Sequence, residues 1–306
     1  MGALNQAAVL VIAFNRPLLF KNVIDKLLHL KIPKIYIHID GPRPENIDDQ
    51  QAQNQINLIV SNLVYDPSVS SIYLKRNILN RGCKYGVYEA ITWAFSKEDS
   101  LIILEDDVVP SGIFFDYCNR MLTRYRNNES ISMISGVNFG KVQKTSYKTN
   151  IFSTWGWATW RDRWSDFDLE LRSFNEDAFD WPQIRSLQNR GYVEYWRTII
   201  KLCRAGKLDT WDYQWVAHNW QKNRCSINPA VSLVENVGYG EHATHTKNRN
   251  DVLNFYDEKK LCGVDALIEV GEISSKQDAQ ILATILPLTR YDKALLKLRK
   301  LWKKLH

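Results

Sequence analysis

Apolar and polar positions in the first hundred residues alternate between short continuous apolar runs and longer stretches whose apolar residues recur at helical spacing. The apolar runs have the length of strands and cover residues 8–14, 35–39, 71–74 and 101–104. The stretches with helical spacing cover residues 18–30, 51–63 and 88–95. Strands that alternate with helices in this order form a parallel sheet with right-handed crossovers. The pattern therefore predicts an α/β fold whose mostly parallel sheet is flanked by helices.

The apolar run at 101–104 leads directly into three carboxylates, Glu105, Asp106 and Asp107. Open α/β sheets bind their ligands at the carboxyl ends of the strands. Because adjacent acids repel one another, the cluster favours a positive charge among them. A divalent cation that carries a diphosphate would supply this charge, since hard cations bind carboxylate and phosphate oxygens together. The alternative is an acidic turn that faces solvent.

Further polar residues follow the other predicted strands and are expected at the same edge of the sheet. Arg16 could pair with a phosphate or cap a helix. Asp40 could accept a hydrogen bond from a base or a ribose, or begin a turn. Arg81 and Lys84 lie in a loop with two glycines, where they could contact phosphate or face solvent. This loop has the spacing of neither a Walker loop nor a dinucleotide fingerprint.

After residue 150 the chain becomes rich in aromatic residues. Trp155, Trp157 and Trp211 are candidate sugar contacts, because an indole face packs well against the C–H face of a pyranose ring. A tryptophan-rich core is the alternative. Gly156, within the first aromatic block, is expected to mark a close approach of two backbone segments.

Asp212 is bracketed by aromatic side chains in the segment 208–215. A carboxylate in such surroundings is a candidate general base. The alternative is a helix start, in which Asp209 or Thr210 caps the helix and Asp212 lies in its first turn. The two interpretations are compatible, because a helix start holds a base in a fixed position.

Residues 228–246 are predicted to form a last strand that runs into a glycine-rich loop. Glycines allow such a loop to close over a bound ligand. His242 and His245 could contact a diphosphate or a metal in this loop, and could equally have no role in binding.

The composition, with 45% hydrophobic and 24% charged residues in a chain of 306, is that of an ordinary globular protein. No apolar run reaches eighteen residues, and the amino terminus lacks the layout of a signal peptide. The five cysteines show no CxxC spacing, which argues against a zinc site or a disulfide framework and favours a reducing compartment. These features predict a cytoplasmic protein.

The net charge of +6 is concentrated at the carboxyl end of the chain. Residues 290–306 hold seven Lys or Arg and one acid, so they account for the whole excess. Their leucines and Trp302 recur at helical spacing, which predicts a basic amphipathic helix. Such a helix can lie on an anionic membrane surface, where each cation contributes about 1 kcal/mol, or it can pack on the body of the protein. No nucleic-acid-binding motif accompanies these cations, so nucleic acid is not expected as a partner.

The order of these features, from Arg16 and Asp40 through the acidic triplet to Trp211, Asp212 and the glycine-rich loop, resembles that of GT-A-fold glycosyltransferases. The acidic triplet and the Trp-Asp segment are similar to those of the Golgi N-acetylglucosaminyltransferase that begins complex N-glycans. The Trp-Gly-Trp-Ala-Thr-Trp and Trp-Asp-Tyr-Gln-Trp blocks are similar to those of bacterial surface-polysaccharide glycosyltransferases. The resemblance spans residues 8–246.

The resemblance implies metal-dependent transfer of a sugar from a nucleotide sugar, with a UDP-sugar as the expected donor. Asp107 would bind Mn²⁺ or Mg²⁺. Glu105 and Asp106 would hold hydroxyls of the donor sugar and the ribose. Arg16 and Asp40 would contact the nucleotide.

The resemblance also implies that Asp212 deprotonates the acceptor hydroxyl, which then attacks the anomeric carbon with inversion of its configuration. In the Golgi enzyme a second acid follows the Trp-Asp pair. Here Tyr213 takes that place, so Asp209 is the fallback base.

The chain is expected to divide into a nucleotide-sugar-binding half, an acceptor-binding half, a helical segment and a basic tail, at residues 1–115, 116–250, 251–289 and 290–306. The expected acceptor is a glycan or a lipid-linked oligosaccharide of bacterial polysaccharide, lipopolysaccharide or capsule synthesis, which the tail would meet at the inner face of the plasma membrane. One alternative is a sugar nucleotidyltransferase, although residues 13–17 are not its usual glycine-rich basic loop. The other is a non-catalytic carbohydrate-binding protein on a transferase fold.

Overall fold

A computed structural model describes residues 6–63, 71–139, 143–181, 184, 187, 190–238, 263–272 and 274–286. Its strands are β1 (Ala8–Ala13), β2 (Lys34–Ile39), β3 (Ser71–Arg76), β4 (Ser100–Glu105), β5 (Val108–Pro110), β6 (Ile131–Ser135), β7 (Ser146–Thr149), β8 (Trp157–Trp160), β9 (Cys225–Asn228), β10 (Val234–Asn236) and β11 (Val270–Glu272). Its helices are α1 (Pro17–His29), α2 (Ile47–Leu63), α3 (Gly82–Phe95), α4 (Phe114–Tyr125), α5 (Arg161–Trp164), α6 (Arg190–Arg204), α7 (Asp212–Gln221), α8 (Val264–Ile268) and α9 (Ser275–Ile285).

One sheet forms the centre of the fold, with its nine strands in the order β11-β7-β9-β6-β8-β4-β1-β2-β3. Within this sheet the described strands β4, β1, β2 and β3 pair in parallel, while β8 runs antiparallel to both β4 and β6. Helices pack on the strands, and β1 and the middle of β4 are buried because both faces of the sheet are covered. The predicted α/β fold with a mostly parallel sheet flanked by helices is confirmed. The sheet continues across the boundary predicted at residue 115.

The carboxyl ends of β1 and β4 lie side by side, as the sequence predicts. Ile12 is the register partner of Glu105, so the residues that follow each strand meet at one edge of the sheet. Strand β2 adjoins β1 on the other side, and the backbone N–H of Asp40 donates to the carbonyl of Ala13 at 3.0 Å. Pro17 begins α1 directly after this edge, which suits a residue without a backbone N–H.

The last predicted strand, in the segment 228–246, is shorter than the sequence suggests and belongs to a separate small sheet. Strand β10 covers only three residues and pairs antiparallel with β5. The backbone N–H of Val237 then donates to the carbonyl of Asp107 at 2.8 Å, which brings this segment against the acidic triplet.

Gly156 marks a close backbone approach, as predicted. Its φ is +60°, and a Cβ at this position would lie 2.8 Å from Cγ1 of Val234. The carbonyl of Gly156 also accepts a hydrogen bond from the N–H of Gly136 at 2.7 Å. Only glycine tolerates both the left-handed backbone and this contact, so the start of β8 is held tightly against β10.

The segment 251–289 is predicted to be helical, and its described part contains helices α8 and α9 and also strand β11, which adds to the edge of the sheet beside β7. Ser274 and Gln277 form a capping box at the start of α9. The hydroxyl of Thr149 donates to the buried carboxylate of Asp278 at 2.6 Å, which ties α9 to the sheet.

Within the described ranges, no helix combines the length and the apolar character that a membrane crossing requires. The basic tail at 290–306 lies outside the described residues.

The side chain of His38 is fully buried in β2, so its protonation is expected to depend on whether the protein is folded. Burial, followed by repulsion from Lys75, lowers the pKa of His38 from 6.5 to about 4. The unfolded chain therefore takes up a proton between pH 6.5 and pH 4 that the folded protein does not, so stability from this residue is present above pH 6.5 and is lost as the pH falls towards 4. Between pH 7.5 and 4.5 this loss amounts to about 2 kcal/mol.

We expect the His38→Gln variant to lose less free energy of unfolding than the wild type between these two pH values, as measured by urea titration. The control is His29→Gln, because His29 is exposed on α1. Equal losses in the wild type and in His38→Gln would contradict the prediction.

Candidate functional site

A cavity of about 400 Å³ lies at the carboxyl edge of the sheet, within the usual size range of small-molecule sites. Its lining residues come from the ends of β1, β4 and β10 and from the starts of α3 and α7. The described lining residues are Arg16, Cys83, Glu105, Asp107, Thr154, Trp155, Ile199, Leu208, Asp209, Thr210, Trp211, Asp212, Tyr213, Asn236 and Gly238.

Arg16 forms ion pairs with Asp106 and Asp107 of the acidic triplet at this edge. Arg16 Nη1 donates to Asp107 Oδ2 at 2.7 Å, and its Nη2 forms a short contact with Asp106 Oδ1. The N–H of Phe14 also donates to Asp106 Oδ2 at 3.4 Å. Burial alone would lower the pKa of Arg16, but the attraction of Asp106 and Asp107 outweighs it and raises that pKa. Arg16 therefore occupies the position before α1 and also neutralises part of the acidic cluster.

The triplet carries more negative charge than Arg16 balances. Burial, followed by repulsion from Asp107, raises the pKa of Glu105. Burial also raises the pKa of Asp106, although Arg16 opposes this shift. Raised carboxyl pKa values of this kind indicate that a further positive charge would be bound favourably here.

A divalent cation fits these residues if a ligand supplies part of its coordination. Asp107 Oδ1 is buried and has no hydrogen-bond partner among the residues that the structure describes, which leaves one carboxylate oxygen for a metal. Among the described residues, no group of three His, Cys, Asp or Glu side chains is arranged to hold an ion by itself. Mg²⁺ commonly binds through one or two carboxylates together with substrate phosphates, and it requires no larger protein cluster.

Gly238 closes the cavity against the triplet. A Cβ at this position would lie 1.9 Å from Asp107 Oδ2, so no side chain can be accommodated. Its N–H donates to Asn236 Oδ1 at 2.9 Å. Neither residue is a candidate from the sequence, although both lie in the segment 228–246 that is predicted to form a strand and a glycine-rich loop.

The carboxylate of Asp40, the predicted nucleotide contact, is occupied by the loop that precedes α3. It accepts hydrogen bonds from the amides of Asn77 and Asn80, at 2.9 and 3.1 Å. It also accepts from the backbone N–H groups of Arg81 and Gly82, at 3.0 and 3.2 Å. Asp40 lies at the predicted edge of the sheet and positions this loop; its contact with a nucleotide stays a prediction.

Arg81 and Lys84 form ion pairs in different places. Arg81 Nη2 donates to Glu89 at 2.8 Å on the exposed face of α3. Lys84 Nζ donates to Glu170 at 2.8 Å, and the Lys84 side chain is only 7% exposed. Glu170 lies 86 positions away in the chain, and no local pattern indicated this partner. Neither cation lines the cavity, so phosphate binding by them also stays a prediction.

Asp209 caps α3, a helix more than a hundred residues away in sequence. Its two carboxylate oxygens accept the backbone N–H groups of Cys83 and Lys84, both at 2.9 Å. This cap explains why α3 begins at Gly82, earlier than the predicted start at residue 88. The prediction that Asp209 or Thr210 caps α7 is wrong, because Trp211 occupies that N-cap position and no side chain bonds there.

Asp212 lies in the first turn of α7, as the helix-start interpretation predicts, and it lines the cavity. Its Oδ1 accepts the N–H of Tyr213 at 2.9 Å and forms a short contact with the hydroxyl of Thr210. Its Oδ2 accepts no hydrogen bond from the described residues. Asp212 is therefore held in place through one oxygen and presents the other for proton transfer.

Cys83 shows how closely the acids surround the cavity. Burial, followed by repulsion from Glu105, Asp212 and Asp209, raises the pKa of the Cys83 thiol. These three carboxylates therefore all lie close enough to the Cys83 thiol to repel its thiolate form.

The candidate tryptophans differ in position. Trp157 is 1% exposed and stacks on Trp211, with ring centroids 5.7 Å apart, so its place favours a packing role. Trp211 is also nearly buried but lines the cavity. Trp155 is partly buried, and it lines the cavity and packs edge-to-face on Phe139. Sugar contact by these rings stays a prediction.

His242 and His245, the candidates in the glycine-rich loop, lie outside the described residues.

No protein-family model matches this sequence, and no curated protein matches it either. The solved structures that match this chain include the glycosyltransferase GlyE of Streptococcus pneumoniae TIGR4, at 10% identity and a TM-score of 0.34. That match covers 72% of this chain and 45% of GlyE, so the chain spans less than half the length of that protein.

Two sugar nucleotidyltransferases are also among the similar structures. A protein assigned as a glucose-1-phosphate thymidylyltransferase of Bacillus anthracis, in complex with sucrose, has 8% identity and a TM-score of 0.36 over 72% of this chain and 85% of its own. A UDP-glucose pyrophosphorylase complexed with UDP-glucose has 9% identity and a TM-score of 0.26 over 52% of this chain and 71% of its own. All three TM-scores lie below 0.5, and neither the fold nor the activity of this chain rests on these matches.

Proposed function

We propose that this protein is a metal-dependent, inverting glycosyltransferase that moves a sugar from a UDP-sugar to a glycan acceptor. One observation carries the proposal: Asp212, whose Oδ2 accepts no hydrogen bond from the described residues, lines the same cavity as Glu105 and Asp107. A base and an anion-rich edge that favours a cation are the two parts that transfer from a nucleotide sugar requires.

The donor would lie along the edge formed by Arg16, Glu105 and Asp107. Asp107 would hold Mn²⁺ or Mg²⁺ through its unpaired Oδ1, and the bound ion would neutralise charge on the diphosphate. Arg16, the cation nearest to this edge, would pair with a phosphate oxygen once a ligand competes for it. The pKa of the Glu105 carboxyl is raised, so this group can donate a hydrogen bond to a sugar or ribose hydroxyl or accept one from it.

Asp212 acts as the general base in the transfer step. Its Oδ2 takes the proton of the acceptor hydroxyl as the hydroxyl oxygen bonds to the anomeric carbon from the face opposite the nucleotide. The bond between that carbon and the diphosphate breaks, and its electron pair leaves with the nucleoside diphosphate. The configuration at the anomeric carbon is thereby inverted. Thr210 and the N–H of Tyr213 keep the carboxylate oriented during the transfer.

The proposal is tested first by calorimetric titration of UDP, GDP and CMP into the protein, with Mn²⁺ and with EDTA. We expect UDP to bind only when Mn²⁺ is present, and GDP and CMP to bind more weakly. Failure of all three nucleotides to bind would refute the enzyme assignment and favour a carbohydrate-binding protein. Release of pyrophosphate from UTP and a sugar 1-phosphate would instead identify a sugar nucleotidyltransferase.

The proposed cellular role is synthesis of a bacterial surface glycan at the inner face of the plasma membrane, where the acceptor would be lipid-linked. The support is the concentration of seven cations in residues 290–306. Replacing these seven Lys and Arg by Gln is expected to abolish cosedimentation with phosphatidylglycerol vesicles, since each cation contributes about 1 kcal/mol at an anionic surface. Turnover with a soluble acceptor should stay unchanged.

The matched control for this charge variant is cosedimentation with neutral phosphatidylcholine vesicles, where the variant and the wild type should both bind weakly. Equal binding of the two proteins to the anionic vesicles would refute the membrane role.

A further inference from the structure

A second cavity of about 380 Å³ adjoins the first one. The two cavities share Thr154, Trp155, Asp212 and Tyr213 as lining residues. The carboxylate of Asp212 therefore stands at the junction of the two spaces, and a ligand in either one lies next to it.

The two cavities differ in their chemistry. Arg16, Glu105, Asp107 and Asp209 give the first one its charged lining. The described lining of the second is mostly aromatic and aliphatic, and Asp212 is its one charged residue. This lining consists of Phe139, Asn150, Ile151, Phe152, Ser153, Thr154, Trp155, Trp196, Asp212, Tyr213, Val216, Trp220, Leu282, Ile285 and Leu286.

Helix α9 lines the second cavity through Leu282 and Ile285, and its C-cap residue Leu286 lines it as well. The hydrogen bond between Thr149 and Asp278 holds this helix on the sheet, as described above. Trp196 and Trp220 add aromatic surface to the same cavity. The cavity thus combines apolar and aromatic faces with the carboxylate of Asp212, which is a mixture that suits sugar rings.

We infer that the second cavity binds the sugar ring of the acceptor that carries the attacking hydroxyl, and that this ring is an uncharged hexopyranose. The inference rests on the proposed function, because it takes Asp212 as the base. A phosphate or a carboxylate on this ring would be buried without a cation among the described lining residues, at a high cost in desolvation. A neutral pyranose can instead place its C–H face on the indole rings and its hydroxyl on Asp212 Oδ2.

The test is saturation-transfer NMR on the full chain with UDP and diamagnetic Mg²⁺ bound. The probes are the methyl β-pyranosides of glucose, galactose and N-acetylglucosamine, and methyl β-glucuronide as the charged counterpart. We expect saturation of the ring C–H protons of at least one neutral glycoside and no signal from the glucuronide. The variant Leu286→Trp, which fills the cavity from α9, should reduce that signal at least tenfold while UDP affinity stays unchanged.

The matched control is Leu58→Trp, the same substitution at a residue of α2 that is 67% exposed, and it should retain the full signal. A second filling variant, Ile285→Trp, replaces Leu286→Trp if the latter lowers the melting temperature. Equal signals from the glucuronide, no signal from any neutral glycoside, or an undiminished signal in the filling variant would overturn the inference. Saturation of only the alkyl chain of octyl β-glucoside would also overturn it, because a lipid would then occupy the cavity. If the wild-type protein did not bind UDP at all, the proposed function itself would be refuted.

Discussion

The Asp212→Asn variant is expected to transfer sugar about 10³-fold more slowly than the wild type, because it lacks the general base. The substitution preserves size, and the amide oxygen of Asn can still accept the hydrogen bonds that Thr210 and Tyr213 donate to Asp212 Oδ1. Only the basicity of the second oxygen is lost. UDP affinity in Mn²⁺ should therefore stay the same, and single-turnover transfer from the donor measures the loss directly.

A companion variant, Asp209→Asn, separates the two candidate bases. Asp209 accepts two backbone N–H groups at the start of α3, and an amide can accept at only one of its two positions. We expect a loss of about 1 kcal/mol of stability and a lower melting temperature. Transfer that survives in Asp212→Asn but falls 10³-fold in Asp209→Asn at a temperature where both are folded would make Asp209 the base.

The Asp107→Ala variant is expected to lose metal-dependent UDP binding, so that its affinity in Mn²⁺ falls to the value measured in EDTA. Asp107 offers the buried, unpaired carboxylate oxygen of the triplet, and its removal leaves Arg16 paired with Asp106. The fold should therefore survive the change. Calorimetric titration of UDP with and without Mn²⁺ measures the effect.

The matched control for this variant is Asp116→Ala. Asp116 lies on α4 and pairs with Arg120 at the surface, away from the cavity. This control should bind UDP as the wild type does. If Asp107→Ala bound UDP in Mn²⁺ as tightly as the wild type, Asp107 would not be the metal ligand.

The sequence predicts the edge of the sheet well because strands and their ends have local signatures. Continuous apolar runs define β1 and β4, and the parallel arrangement then requires that Arg16 and the acidic triplet meet. The first turn of α7 is also local, so Asp212 could be placed at a helix start from its neighbours.

Contacts between distant segments could not be predicted in the same way. Asp209 has the sequence context of a cap for α7, yet it caps α3. The two residues whose N–H groups it accepts, Cys83 and Lys84, lie 126 and 125 positions before it in the chain. The partner of Lys84 is similarly remote. Periodicity describes which face of an element is buried but does not specify which other segment covers it.

The sequence also does not show which tryptophans are buried and which line a cavity. The block around Gly156 contains rings with different surroundings, and the alternation along β8 alone does not separate them. Trp157 is buried against Trp211 and Trp215, whereas Trp155 borders both cavities. The difference follows from packing between α7 and the sheet, which the sequence pattern does not contain.

The position of β11 has a consequence for how such a protein could diversify. This strand is the outermost member of the described sheet and pairs only with β7 there. The other described strands of the sheet pair with one another without any contribution from the segment 263–286. The same segment carries the α9 wall of the second cavity and contributes no described residue to the first. Under the proposed function, exchange of this segment between related proteins would alter which acceptor is bound while the donor site stays unchanged.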